Sequence, residues 1–495
     1  MTERSPEQIE GGWMHRHIPG VHFIAHGHRV FGWLLLGYFL MFPVLILLNL
    51  TAFIQGFQSM GLSAFLVTVD YHHHTLFLRG DVMEHWLASV FALGMPVFLW
   101  WLNRRRLERM SQGTYEHELS QWALAWREFK RNRVAATGLV VIILLYTMAF
   151  LCPYFAPFHP NAFSDGTVTK FRPPLSSVPI LYQQPTETAS ERLASLRMQS
   201  DYPSLVRDLV LINQDLTDEG FMNTRAVEAY RVEGSNVLAT VGDSLVAFPI
   251  ADLVGSTPEE FEGSRFHLFG TDSYGRDILS RIIYGSRVSL SLGFIAVLLS
   301  VSLGTLIGLL AGYFGRFTDS VLMRFVDVLL AFPALFLILI IISAFETVAV
   351  PRVLLIVLVL GLTSWMGISR LVRGEVLSVK EREFVLAART LGLGHTRILS
   401  RHILPNILTP IIVNATLRIG GIILVEAALS YLNIGVQQPT PSWGNIIFEG
   451  KDFLSHAWWI STLPGFAIVL VVVCFNLVGD GLRDAFDPML NNERA

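Results

Sequence analysis

Eight long apolar runs interrupt this chain, at approximately 31–53, 86–102, 136–153, 287–313, 325–345, 352–369, 407–430 and 461–479. A helix needs roughly 20 mostly apolar residues to cross about 30 Å of hydrocarbon. Lipid offers no partner to an unpaired backbone N–H or C=O, so each crossing segment must satisfy itself as a helix. These runs therefore constrain the chain to an all-α polytopic membrane protein. Composition agrees: 52% of the residues are hydrophobic and only 16% are charged. A net charge of −3 gives no reason to expect nucleic-acid binding. The two cysteines, Cys152 and Cys474, lie in or beside apolar runs, which argues against a disulfide framework. The first run starts near Phe31 and suits a retained anchor better than a cleaved signal core.

Lysine and arginine mark the cytoplasmic side. The linker 103–135 carries Arg104, Arg105, Arg106, Arg127, Lys130, Arg131 and Arg133, and the segment 370–406 carries Arg370, Arg373, Arg389 and Arg401. Four apolar runs separate them, an even number, so both can face the cytoplasm. Both termini, 1–30 and 481–495, then come out cytoplasmic. Runs one and two form a hairpin over 31–102, and 136–153 is a third span. The polar stretch 154–285 falls on the outer side, more acidic than basic and approached through Pro153, Pro157, Pro160, Pro173 and Pro174. It is expected to be a small, partly ordered domain packed on the membrane part, with a helix near 201–213 and a strand or two near 236–250. Residues 286–480 hold the remaining spans.

Between the sixth and seventh runs lies a charged segment, 381–406. Phe384, Ala387, Ala388 and Leu391 recur at helical spacing, and Glu381, Arg382 and Arg389 are spread around them. Ala388 and Gly392 are four apart and would stack on one side of a helix, where small side chains let another surface approach. Gly392 and Gly394 can end the helix, and Pro405 suits the first turn of the next span. The same features fit an ordinary amphipathic helix lying on the membrane surface.

Other residues have two readings each. Glu426 sits inside an apolar run, where an acid must face protein or water. It could line a solute path, pair with a partner subunit or lie near the membrane face. His72, His73 and His74, and His15, His17, His22, His26 and His28, have only Asp70 and Asp81 to complete a metal site, and interfacial polar residues are the default. No metal site is assigned. The one Gly-Lys pair, Gly450-Lys451, is followed by Asp452, with Asn445 where a phosphate-binding loop needs glycine. A nucleotide site within the chain is therefore not expected.

Further motifs carry a resemblance. The two alanines, glycine, linker and His402-Ile403-Leu404-Pro405-Asn406 resemble the EAA coupling loop of ABC importer permeases, with Leu386 at the place of the namesake glutamate. WREFKRNR at 126–133, FGTDSYGRD at 269–277, LSRIIYGSRVSLSLG at 279–293, EAALSYL at 426–432 with Pro439, Pro441, Ser442, Trp443 and Gly444, and NLVGDGLRDAFDP at 476–488 resemble the second permease subunit of the dipeptide/oligopeptide class. The match covers roughly 120–153 and 265–490 and is collinear. In the 270–277 element, Gly270, Thr271, Asp272, Gly275, Arg276 and Asp277 are candidate site residues. Thr271 or Asp272 can cap a short interfacial helix at 275–284, with contact to a binding protein the alternative. Asp480, Arg483 and Asp484 are expected to anchor the C-terminal helix at the cytoplasmic surface.

The resemblance implies that spans three to eight form a six-span permease core in a bacterial inner membrane; the hairpin 31–102 lies outside the family pattern as an accessory, and 154–285 is expected as an extracytoplasmic insertion. It implies a homologous second permease, two ATPase subunits that bind ATP and Mg, and an extracytoplasmic substrate-binding protein. The chain itself would hold no cofactor and no catalytic residue, and would move di- or oligopeptides. Nickel complexes, peptide antibiotics or oligosaccharides are alternative cargoes, and an ATP-independent channel, a sensor or a docking platform are alternative roles.

Overall fold

Apolar runs of this length close their own hydrogen bonds as helices, and polar or proline-rich segments set where those helices stop. The computed structural model describes residues 29–50, 53–54, 80–111, 121–161, 166–184, 224–345 and 351–486, with 18, 19, 21 and 24. Two units emerge, one from 1–119 with 150–280 and the other from 120–149 with 281–495.

The first unit holds helices α1 (Arg29–Leu48) and α2 (Gly80–Ser111). They meet through Phe42, Leu45, Ala88 and Ala92, with Leu151 and Tyr154 completing the cluster. Ser89 and Tyr154 share a hydrogen bond of 2.6 Å. Among the described residues the same unit contains six strands: β1 (Ser176–Tyr182), β2 (Thr224–Ala226), β3 (Ala229–Glu233), β4 (Asn236–Val241), β5 (Ser244–Pro249) and β6 (Glu262–His267). One antiparallel sheet runs β2-β1-β6 and the other β3-β4-β5. Gly234 and Gly242 adopt positive φ in the two tight turns of the second sheet, as short hairpin turns require. Leu181 of the first sheet packs with Val227, Val237, Ala239, Leu253 and Phe261 in a buried core that the second sheet shares. The strands expected near 236–250 are β4 and β5; the helix expected near 201–213 lies outside the described residues.

The second unit holds α3 (Gln121–Arg131), α4 (Arg133–Phe150), most of α5 (Ile278–Phe314), α6 (Arg316–Leu330), α7 (Ala334–Ala344), α8 (Arg352–Val379), α9 (Glu383–Thr390), α10 (Leu404–Tyr431), α11 (Trp443–Gly450) and α12 (Trp459–Phe486). Gly304, Gly308 and Gly312 bring α5 against α8. A Cβ on Gly304 or Gly312 would stand 2.7 Å from Ile368 or Val376, and one on Gly308 would stand 2.6 Å from the Ser369 carbonyl. Small residues at four-residue spacing let two membrane helices pack backbone to backbone.

Among the described residues, six helical segments are long and apolar enough to span: Trp86–Arg105, α4, α5, α8, His395–Tyr431 and α12. The count is seven if the bent pair α6–α7 is one span, against the eight expected. The run 325–345 is not straight: α6 and α7 meet at 88°. Pro333 causes the break, since it has no N–H and drives the preceding residue out of helical geometry. The apolar part of α1 described, Gly32–Leu48, is shorter than a full crossing.

Candidate functional site

The segment 381–406 is built as a braced elbow. Helix α9 buries Val385 and Ala388 and exposes Phe384, Ala387 and Leu391. It ends in a glycine stop: the Leu393 N–H reaches the Ala388 carbonyl at 3.2 Å and the Gly392 N–H reaches Arg389 at 3.0 Å. Gly392 has φ +75°, the left-handed conformation this closing pattern needs. The expected stacking of Ala388 with Gly392 therefore does not occur. Gly392 lies beyond the helix, and Ala388 faces its own chain in a core with Tyr313, Val372, Val376, Ile398, Ile403 and Ile407. The outward stripe is Phe384, Ala387 and Leu391, with Gly392 at its end and open space where a side chain would stand.

After Gly394 the chain is helical again from His395, earlier than the start expected near 407. A π-helical turn at Leu399–Ile403 joins it to α10, and the Leu404 N–H bonds to the Leu399 carbonyl. Pro405 follows at once and has no N–H to return to Arg401. Leu404 packs on the core, His402 is half-buried, and the exposed Asn406 side chain donates to the His402 carbonyl at 2.7 Å. The elbow is fastened to α5 and α8. The Tyr313 hydroxyl meets His395 Nδ1 at 2.9 Å, the Arg389 guanidinium lies 5.1 Å from the Tyr313 ring, and Lys380 donates to the Gly312 carbonyl at 3.0 Å. Arg373 and Asp319 tie α8 to α6 in a two-pronged ion pair. The exposed stripe thus sits on a block packed against α5, α8 and α10 together.

In the first unit the residues of the 270–277 element are buried and mutually satisfied. The Asp272 carboxylate accepts the Tyr274 and Arg276 backbone N–H at 2.8 and 2.9 Å and pairs with Arg276 Nε at 2.6 Å. Thr271 accepts the Arg172 N–H at 2.8 Å and donates to the Thr169 carbonyl. Gly270 and Gly275 have positive φ. The helix cap is neither Thr271 nor Asp272 but Asp277, which accepts both the N–H and the hydroxyl of Ser280 at 2.8 Å and binds His267 Nδ1 at 2.9 Å. The helix it caps is not a short interfacial one: α5 runs unbroken for 37 residues. Among these side chains, Tyr274 is the one turned outward.

Glu426 is fully buried. It accepts from Ser430 at 2.8 Å and Ser289 at 3.3 Å, and the Ser442 hydroxyl also bonds to it. Ser289 in turn accepts the Trp443 N–H, and the Trp443 indole donates to the Ile282 carbonyl. Ser442 and Asn445 cap α11 reciprocally. The acid is thus the centre of a knot joining α5, α10 and α11. Among the described residues, no group of three or more His, Cys, Asp or Glu side chains is placed to hold a metal ion. His15, His17, His22, His26, His28, Asp70, His72, His73 and His74 lie outside the described residues, as does the Asp81 side chain.

Comparison with known proteins bears on this arrangement. Residues 304–492 match the model of the binding-protein-dependent transport system inner membrane component, and 120–174 match the N-terminal TM domain of oligopeptide transport permease C. The dipeptide transport system permease protein DppC of Alkalihalophilus pseudofirmus is 44% identical, over 46% of this chain and 73% of its own. The chain belongs to the binding-protein-dependent transport system inner membrane components. The oligopeptide permease protein OppC of Haemophilus influenzae is 40% identical over 45% of this chain and 70% of its own. The DppC of Bacillus subtilis is 30% identical over 79% of this chain and 93% of its own. As a permease of this family, the protein is a multi-pass inner-membrane component of an ABC importer.

Two polar features of this permease escape a reading by motif. Arg281 and Glu449 form a buried two-pronged ion pair between α5 and α11, and a lone arginine, Arg418, sits inside the apolar run of α10. A search for charges within otherwise apolar runs would have found Arg418. The Arg281–Glu449 pair links residues far apart in sequence, and no local pattern announces it.

Proposed function

We propose that this permease carries di- or oligopeptides inward, driven by separate ATPase subunits that dock on the 381–406 elbow. The observation that supports it is the exposed stripe Phe384–Ala387–Leu391–Gly392, mounted on a block shared by the ends of three long helices. The relatives named above are peptide permeases, which supports the cargo class. ATP and Mg would be bound by the ATPases, with a homologous permease and an extracytoplasmic binding protein completing the assembly. In this reading 31–102 is an accessory hairpin, 154–285 an extracytoplasmic insertion, and both termini are cytoplasmic. Closure of the ATPases would turn the elbow as a lever and reopen the cavity between the permeases outward.

The test is ATP hydrolysis by the full complex with and without binding protein and a peptide mixture. Stimulation is expected from the unsubstituted chain. Gly392→Trp places an indole into open space at the docking stripe and is expected to abolish stimulation and uptake while membrane insertion persists. Uptake that survives Gly392→Trp would overturn the coupling assignment.

A further inference from the structure

Midway along α10, about 20 Å from either end, stands Arg418. Its Nε donates to Asn414 Oδ1 at 2.8 Å and Nη1 donates to the Ser364 carbonyl of α8 at 3.3 Å. A guanidinium has five N–H groups. Among the described residues the other three have no acceptor, and no carboxylate pairs with Arg418. The acid in the same helix, Glu426, is already held by Ser289, Ser430 and Ser442.

On one side the guanidinium packs on a neighbouring helix, and beside it the face of α10 is open. The guanidinium lies over Gly367 of α8, where a Cβ would fall 2.6 Å from Nη2. One turn further along α10, Gly421 is exposed and has no atom near its Cβ position. Arg418 itself is half-buried. A permanent cation at this depth cannot face lipid cheaply and must meet water or an anion. Its planar fork matches a carboxylate, whose two oxygens take two parallel N–H groups.

We propose that Arg418 binds the C-terminal carboxylate of a peptide in transit, an assignment that rests on the peptide-importer reading above. The carboxylate is the one anion every unmodified peptide carries whatever its side chains. A single arginine at fixed depth therefore accepts many sequences while rejecting chains that lack a free end.

The test uses the complete complex in proteoliposomes, with binding protein saturated by one peptide or by its C-terminal amide. The readout is the ratio of acid to amide uptake for the unsubstituted chain, Arg418→Gln and Arg418→Lys. The ratio is expected to fall about tenfold in the Gln variant, the scale of one charge-assisted hydrogen bond, and to be largely kept by Lys. An unchanged ratio in Arg418→Gln, or no acid preference in the unsubstituted complex, overturns the Arg418 assignment alone. Failure of Arg418→Gln to assemble with the second permease, restored by Lys, would assign the arginine to an acid on that subunit and also overturn it. No uptake of either peptide by the unsubstituted complex overturns the importer reading, and this assignment with it.

Discussion

Tyr230 shows how one side chain ties the two sheets together. Its ring packs on the buried core of the second sheet, edge-on to Phe261 at 6.2 Å, and its hydroxyl donates to Glu262 at 2.5 Å. Desolvation, then the bond and charge of Glu262, push its pKa from 10.0 up to about 12. The folded state therefore holds this proton more tightly than the unfolded chain. The resulting stabilisation is complete below pH 10.0 and is lost as pH rises through about 12. Solvent screening keeps it under about 1 kcal/mol. Ultraviolet titration of the purified protein is expected to show one fewer late tyrosinate in Tyr230→Phe than in the unsubstituted chain. At this scale the sequence was legible where spacing implies a single face and misleading where two small residues adjoin. Ala387 and Ala388 are chemically equal, and only the path of the chain after Gly392 puts one outside and the other in the core.

Among elements, the contact of α5 with α8 has the least tolerance for added volume. A Cβ on Gly308 would stand 2.6 Å from the Ser369 carbonyl and 2.7 Å from Val372 Cβ, closer than van der Waals contact allows. Gly308→Leu is expected to force the helices apart and to cost about 1–3 kcal/mol, the usual penalty of overpacking. Thermal denaturation in detergent, with Leu306→Ala on the exposed side of the same helix as control, measures it. Helices were the most legible elements because apolar runs in lipid have one local solution. The strands were less so. β4 and β5 alternate and are joined by a glycine turn, but β2 has three residues and β1 contains Pro179, and their pairing depends on partners far away in sequence. The bend between α6 and α7 was visible as Pro333 inside a run, although hydropathy alone reads straight across it.

For the whole molecule, hydropathy and charge placement predict a chain that crosses the membrane repeatedly, and the collinear motifs predict its family. The brace that joins the elbow to α5 escaped them, because Tyr313 lies 82 residues before His395 and outside the segment that holds His395 and Arg389. The π-helical turn at Leu399–Ile403 has a consequence for how the molecule tolerates changes of length. Such a turn takes one more residue than an α-turn while leaving the flanking helices in their rotational phase. Removing the exposed Ser400 would let the ladder close in ordinary α register, with both sides still aimed as before. Removing Thr409 from α10 would instead swing everything on one side by about 100°. ATP stimulation is expected to survive the first deletion and vanish with the second. The joint between elbow and span thus holds one residue of slack, a place where the chain can be shortened without re-aiming either half.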